Sequence, residues 1–158
     1  MKLHYGNLLD MAKKGEFDVI IHGCNCFGDM GAGIAKYIKQ DFLEAFEADK
    51  NTKHGDKNKL GTFSEALITR YSNNIVVINA YTQFHFNARG KDLFEYDKFP
   101  QLLQSIKLKY GDKRIGLPLI GCGLAGGDEK RILGMIDKKF IGVDYKLVEI
   151  DTRRKLKV

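Results

Sequence analysis

The chain has 158 residues, 44% hydrophobic and 29% charged, which suits one globular domain burying roughly 70% of its unfolded surface and excludes a disordered or staple-dependent polypeptide. A formal net charge of +6 and a pI of about 9.1 favour phosphate-rich ligands or polyanions by electrostatic steering. The odd cysteine count (Cys24, Cys26, Cys122), the lack of an apolar core in MKLHYGNLLD and the lack of a bilayer-length apolar run argue against a disulfide framework, a leader and a membrane span, and lead us to expect a cytoplasmic protein.

In chain order, Lys2 to Tyr5 reads as a short first strand. Asn7 can cap a helix running to about Lys14, which Gly15 stops. Phe17-Asp18-Val19-Ile20-Ile21-His22 is a nearly continuous apolar run, the pattern of a strand buried on both faces. A glycine-rich turn, Gly28 to Gly33, feeds a helix with Ile34, Ile38, Phe42 and Phe46 at helical spacing. Lys50 to Gly61 is polar and reads as a loop.

Thr62 to Thr69 and Ile75 to Ala80 read as two strands joined near Asn73-Asn74, since Asn tolerates positive φ. The segment from Tyr81 to about Phe94 has no period, and a loop of that length in a compact domain is usually functional. Glu95 to Tyr110 is helical in pattern, with Pro100 acceptable only in the first turn. Arg114 to Leu117 is a strand ended by Pro118. A second glycine-rich stretch, Gly121 to Asp128, precedes a helix carrying Ile132, Met135, Ile136 and Phe140. Tyr145 to Ile150 is the last strand.

Strands alternating with helices, with one hairpin, predict a three-layer α/β domain with a mixed, mostly parallel central sheet of about six strands. Residues 1–151 form this domain and 152–158 a basic tail. The basic residues group as Lys50, Lys53, His54, Lys57 and Lys59, and as Lys146, Arg153, Arg154, Lys155 and Lys157. Each cluster reads either as solvated surface or as a secondary contact for nucleic acid. Nothing demands more than a monomer.

Two strands end in glycine-rich loops that feed helices. Glycine lets backbone approach a ligand, and free N–H groups at a helix start attract anions, so two adjacent loops would clamp a diphosphate. The alternative is that these glycines only make tight turns. Gly28-x-x-Gly31-x-Gly33 is not the order of a dinucleotide fold, and neither loop ends in the Gly-Lys-Ser/Thr of a P-loop.

Val19-Ile20-Ile21-His22-Gly23-Cys24-Asn25-Cys26-Phe27-Gly28-Asp29-Met30-Gly31-Ala32-Gly33-Ile34-Ala35 resembles the macro domain signature. Leu119 to Asp128 resembles that family's second phosphate loop, and Gly6-Asn7-Leu8-Leu9 lies where the family has Gly-Asp-Ile. The resemblance implies an ADP-ribose-type ligand, and no cofactor is expected. His22, Cys24 and Cys26 alternate, which raises a metal site, but the spacing is not Cys-x-x-Cys and no fourth ligand is evident, so no metal is expected. His22-Gly23-Cys24-Asn25 is similar to the ADP-ribose 1″-phosphate phosphatases of the yeast-type branch, which implies release of phosphate from ADP-ribose 1″-phosphate. The alternatives are a reader without turnover, or a hydrolase of ADP-ribosyl groups on protein or nucleic acid. In the glutamyl-deacylating branch a catalytic Lys should lie where this chain has Thr82-Gln83-Phe84, and a second-loop Asp where it has Ala125; both departures count against that branch.

Carried onto this sequence, the resemblance places adenine near Asn7 and Leu8, and the distal ribose at Asn25. It puts the amides of Gly31, Ala32, Gly33 and Ile34 on the ribose and its phosphate, and wraps the diphosphate with Gly121, Cys122, Gly123, Leu124 and Ala125. Asn7 reads equally as a helix cap. Phe84 is a candidate stacking ring. His22 and Asp128 are the candidate catalytic pair. A histidine titrating near neutrality can act as nucleophile or general acid, and a carboxylate can position a water. Their plain alternatives are a buried sheet residue for His22 and a helix cap for Asp128.

Overall fold

The computed structural model describes residues 3–86, 91–121 and 126–150. The basic tail, the Cys122–Ala125 stretch of the second loop and Arg89 of the Tyr81–Phe94 segment lie outside them. The elements run β1 (Leu3–Tyr5), α1 (Leu8–Lys13), β2 (Val19–Cys24), α2 (Gly33–Asp41), α3 (Leu43–Lys50), β3 (Phe63–Ile68), β4 (Ile75–Tyr81), α4 (Phe99–Tyr110), β5 (Ile115–Leu117), α5 (Glu129–Lys139) and β6 (Tyr145–Glu149). The six strands order as β1-β6-β5-β2-β4-β3. Five are parallel and β3 is antiparallel to β4, with Phe63 opposite Ala80 and Ile68 opposite Ile75.

The apolar run of β2 has the environment that its composition demands. It pairs with β4 from Val19↔Val76 to Cys24↔Tyr81, and with β5 at Val19↔Ile115, so both its edges are paired, and an apolar layer covers each face. One apolar layer joins Val19, Ile21, Ile78 and Ala80 to α4 and α5 through Phe99, Leu102, Leu103, Ile132 and Ile136. The opposite layer joins Ile20, Val77 and Ile75 to α1, α2 and α3 through Leu8, Ala12, Ile38, Phe42 and Ala45. At the amino ends, Arg114 donates from Nε to Asp18 Oδ2 (3.1 Å) and from Nη2 to Asp18 Oδ1 (2.9 Å). This half-exposed pair contributes little energy but ties β2 and β5 in register.

Two expectations change. The helix after the first glycine loop is not continuous: Phe42, at φ −132° and ψ 71°, breaks it. The spacing of Ile34, Ile38 and Phe42 fits α2, and Phe42 is fully buried. After the break α3 turns Ala45 and Asp49 inward, while Phe46 is only partly buried. Lys59 also departs from the solvated basic cluster. It is buried, donating to Thr52 Oγ1 (2.6 Å) with its ammonium 4.3 Å over the Tyr81 ring. Among the described residues no helix is long and apolar enough to cross a membrane.

Candidate functional site

The carboxyl ends of the parallel strands point to one side, and a cleft runs across them. β2 and β5 are parallel neighbours, so the loops leaving them must emerge side by side. Gly33 from the first loop and Gly121 from the second both line a cavity of about 250 Å³, with Gly23, Cys24, Asn25, Asp29, Gln83 and Phe86 among its walls. A second cavity of about 660 Å³ is lined by Asn7, Leu8, Tyr37, Glu129, Val148 and Ile150, among others. The two share Gly33, Ile34, Pro118 and Leu119, which form a waist between a distal and a proximal chamber. Gly33 and Gly121 therefore face the same open space.

The waist has the features that favour an anion. α2 begins at Gly33, its N-cap Ala32 has no side-chain hydrogen bond, and no acidic residue stands in its first turn. Its first N–H groups therefore open onto the waist with the positive end of the helix dipole behind them. Gly33 takes φ +61°, a left-handed conformation that glycine adopts without strain. Gly121, at φ +74°, has no room for a Cβ, which would strike the Phe94 ring. Gly127 N–H donates to Gly121 O (2.7 Å) and closes the base of the second loop.

In the distal chamber Asn25 braces the first loop. Its Oδ1 accepts from Phe27 N (2.9 Å) and Asp29 N (3.3 Å), and its Nδ2 donates to Asp29 O (2.8 Å). Ala32, Gly33 and Ile34 line the chamber as expected. Gly31 does not line it, and its N–H is taken by Asp29 Oδ1 (2.9 Å), so it is not one of the free amides. Phe84 does not line it either. That ring packs edge-on against Phe27 (4.9 Å) beneath Lys57 (5.1 Å), and Phe86, two residues on, occupies the wall instead. Burial pushes the Cys24 thiol well above its ordinary pKa, so it lines the chamber as an uncharged group.

In the proximal chamber Asn7 and Leu8 fall where they were expected. The Asn7 carbonyl oxygen is already committed, accepting from Leu9 N and Asp10 N, both at 3.1 Å, as the cap of α1. Of the two roles open to Asn7 in the sequence, the cap is the one these bonds display. Asn7→Ala is expected to lower stability by about 1 kcal/mol in urea denaturation, and Asn7→Asp, which keeps the acceptor, to restore it.

The structure brings neither candidate catalytic residue into the cleft lining. His22 is fully buried behind it. Its Nε2–H donates to Asn79 Oδ1 (2.6 Å), and Cys24 Sγ lies 3.5 Å from the same nitrogen. Asn79 Nδ2 in turn donates to Ala45 O (2.9 Å) and Ser64 Oγ (3.0 Å). Ser64 Oγ contacts Tyr81 OH (2.7 Å), and Tyr81 OH donates to the buried Asp49 (2.7 Å). The imidazole is one end of a polar chain beneath α3. Burial lowers its pKa to about 4, against a weaker upward pull from the Asn79 hydrogen bond. A ring that stays neutral at pH 7 is a poor general acid for a leaving group. Asp128 is exposed and caps α5, its Oδ1 accepting from Arg131 N (3.2 Å). Cys122, Gly123, Leu124 and Ala125 lie outside the described residues.

Sequence reasoning missed Tyr37, Val148, Glu149 and Ile150 in the proximal chamber, and Asp29 and Phe86 in the distal one. A signal existed for the β6 residues: the last strand is parallel to its neighbours, so its carboxyl end faces the ligand side.

The fold is that of solved macrodomain structures. The macrodomain of Mycobacterium tuberculosis DarG superposes with a TM-score of 0.68 at 19% identity, over 92% of this chain and 96% of that one. Thermosipho africanus DarTG in complex with ADP-ribose superposes at 0.64 and 17% identity, over 94% of this chain and 41% of the larger protein. No protein-family model matches the sequence. An uncharacterized 17.5 kDa protein from the tk-vs intergenic region of Enterobacteria phage T4 is 33% identical over 124 residues, 75% of this chain and 77% of that protein. The chain belongs to the same family as this phage protein.

Proposed function

We propose that the protein binds ADP-ribose and related ADP-ribosyl compounds in this cleft. The observation that carries the reading is the uncapped start of α2 at the waist between two chambers. A diphosphate at the waist meets bare N–H groups from Gly33 and Ile34. The larger, more apolar chamber beside Leu8, Tyr37 and Ile150 takes the adenosine end. The smaller one beside Asn25 takes the distal ribose. The complex of Thermosipho DarTG with ADP-ribose supports an ADP-ribose ligand by likeness of fold.

Phosphate release from ADP-ribose 1″-phosphate is the finer activity that the sequence suggests. The burial of His22 and the capping role of Asp128 favour binding without that turnover. Titration calorimetry with ADP-ribose, AMP and ribose 5-phosphate tests the reading. ADP-ribose is expected to bind more tightly than either fragment, because only it spans both chambers. Equal affinity for AMP and ADP-ribose would sink the two-chamber assignment. Phosphate release that His22→Ala abolishes, with the fold intact, would restore the phosphatase.

A further inference from the structure

The distal chamber is charged in a way that the waist is not, and the difference bears on what the far ribose carries. Among the described residues lining it, the ionisable side chains are the Asp29 carboxylate and the uncharged Cys24 thiol; Lys, Arg and His do not occur there. Asp29 is held at the rim through the bond from Gly31 N to its Oδ1 (2.9 Å). The Phe86 ring, 46% exposed, forms another part of the wall. It is not a loose side chain: His85 stacks on it at 4.6 Å and 23°, and Phe27 meets it near edge-on at 6.3 Å. Gln83 Nε2 donates to His85 O (2.7 Å) and fixes the amide next to them.

We propose that this chamber selects ADP-ribosyl ligands whose C1″ carries a planar cationic ring, the pyridinium of NAD+, over ligands carrying an anionic phosphate there. The inference rests on the ADP-ribose reading above and deepens it. A dianionic phosphate on C1″ would share the chamber with a carboxylate and no described counter-cation, whereas the diphosphate is already served by α2. A pyridinium would lie near that carboxylate and can stack on the exposed face of Phe86, where a desolvated cation–aromatic contact is favourable. The net charge of +6 attracts the more anionic ligand from a distance, so a preference against phosphate has to come from the chamber itself.

Calorimetry with ADP-ribose, ADP-ribose 1″-phosphate and NAD+ at pH 7.5 tests this on the wild type, Asp29→Asn and Phe86→Ala, with melting curves to show that each is folded. NAD+ is expected to bind about tenfold more tightly than ADP-ribose 1″-phosphate. Asp29→Asn, which keeps the acceptor for Gly31 N–H, is expected to shrink that ratio at least threefold. Phe86→Ala is expected to cost NAD+ about fivefold more than it costs ADP-ribose, within the ~2- to 30-fold range of such contacts. ADP-ribose 1″-phosphate binding as tightly as NAD+, or variants that shift all three ligands in parallel, overturns the proposal while leaving the ADP-ribose reading intact. A folded wild type that binds none of the three defeats that reading and this inference with it.

Discussion

Gly33→Val is expected to weaken ADP-ribose binding at least 100-fold while leaving the fold in place. Gly33 lines both chambers and opens α2, so a branched side chain there enters the waist and covers the first-turn N–H groups. Losing a diphosphate contact to several bare amides accounts for the size of the effect, since charge-assisted hydrogen bonds to backbone N–H are the strong ones. The substitution has a second cost: at φ +61° a β-branched residue is strained by about 1–2 kcal/mol, which lowers the melting temperature by roughly 5 °C in a domain of this size. Gly142 separates the two costs. It stands between α5 and β6 at φ +83°, and a Cβ there meets nothing within 4 Å. Gly142→Val is expected to lose the same few degrees and keep wild-type affinity in calorimetry. A Gly33→Val protein that still binds ADP-ribose like the wild type means that the diphosphate does not lie at the waist.

What the sequence disclosed and what it hid follow from the range of the interactions. The run Val19 to Ile21, the helix start at Gly33 and the caps at Asn7 and Asp128 are local patterns, and each folded as its pattern requires. The break at Phe42 left no mark, because spacing of three or four residues looks the same across a kink that keeps the next apolar side chain buried. Lys59 reads as part of a solvated basic cluster until Thr52 and Tyr81 are seen beside it, and those partners come from the loop after α3 and from β4. His22 shows the same limit. Alternation along β2 sets it on the face opposite Ile21, but only the three-dimensional arrangement shows that α3 covers that face, with Ala45 O and Asp49 near the ring's partners. The base end of the cleft was hidden for another reason. Val148 is an ordinary strand residue and Ile150 follows the strand directly, and only their place at the carboxyl end of β6 makes them a wall.

The buried state of His22 carries the second large prediction, a loss of stability in weak acid. Its pKa in the fold is lowered to about 4, against an ordinary value of 6.5, because desolvation penalises the imidazolium more than the Asn79 bond and the Asp49 charge favour it. The unfolded chain therefore takes up the proton first. Above pH 6.5 both states are neutral at this residue and it contributes no pH dependence. Between pH 6.5 and 4 the unfolded state binds more protons, so unfolding becomes easier as the pH falls. Below pH 4 both states are protonated and the slope from this residue ends. The full difference amounts to about 3 kcal/mol, a large share of a domain's net stability. Urea denaturation of the wild type and His22→Gln at steps from pH 7.5 to 4.5 checks this. Glutamine can still donate to Asn79 Oδ1 but cannot titrate, so most of the acid loss that the wild type shows down to pH 5 should vanish in the variant. The remaining dependence, from carboxylates elsewhere, should be common to both. Parallel pH curves for the two proteins would mean that His22 is solvated and free to charge, and its candidacy as a proton donor in the cleft would have to be reopened.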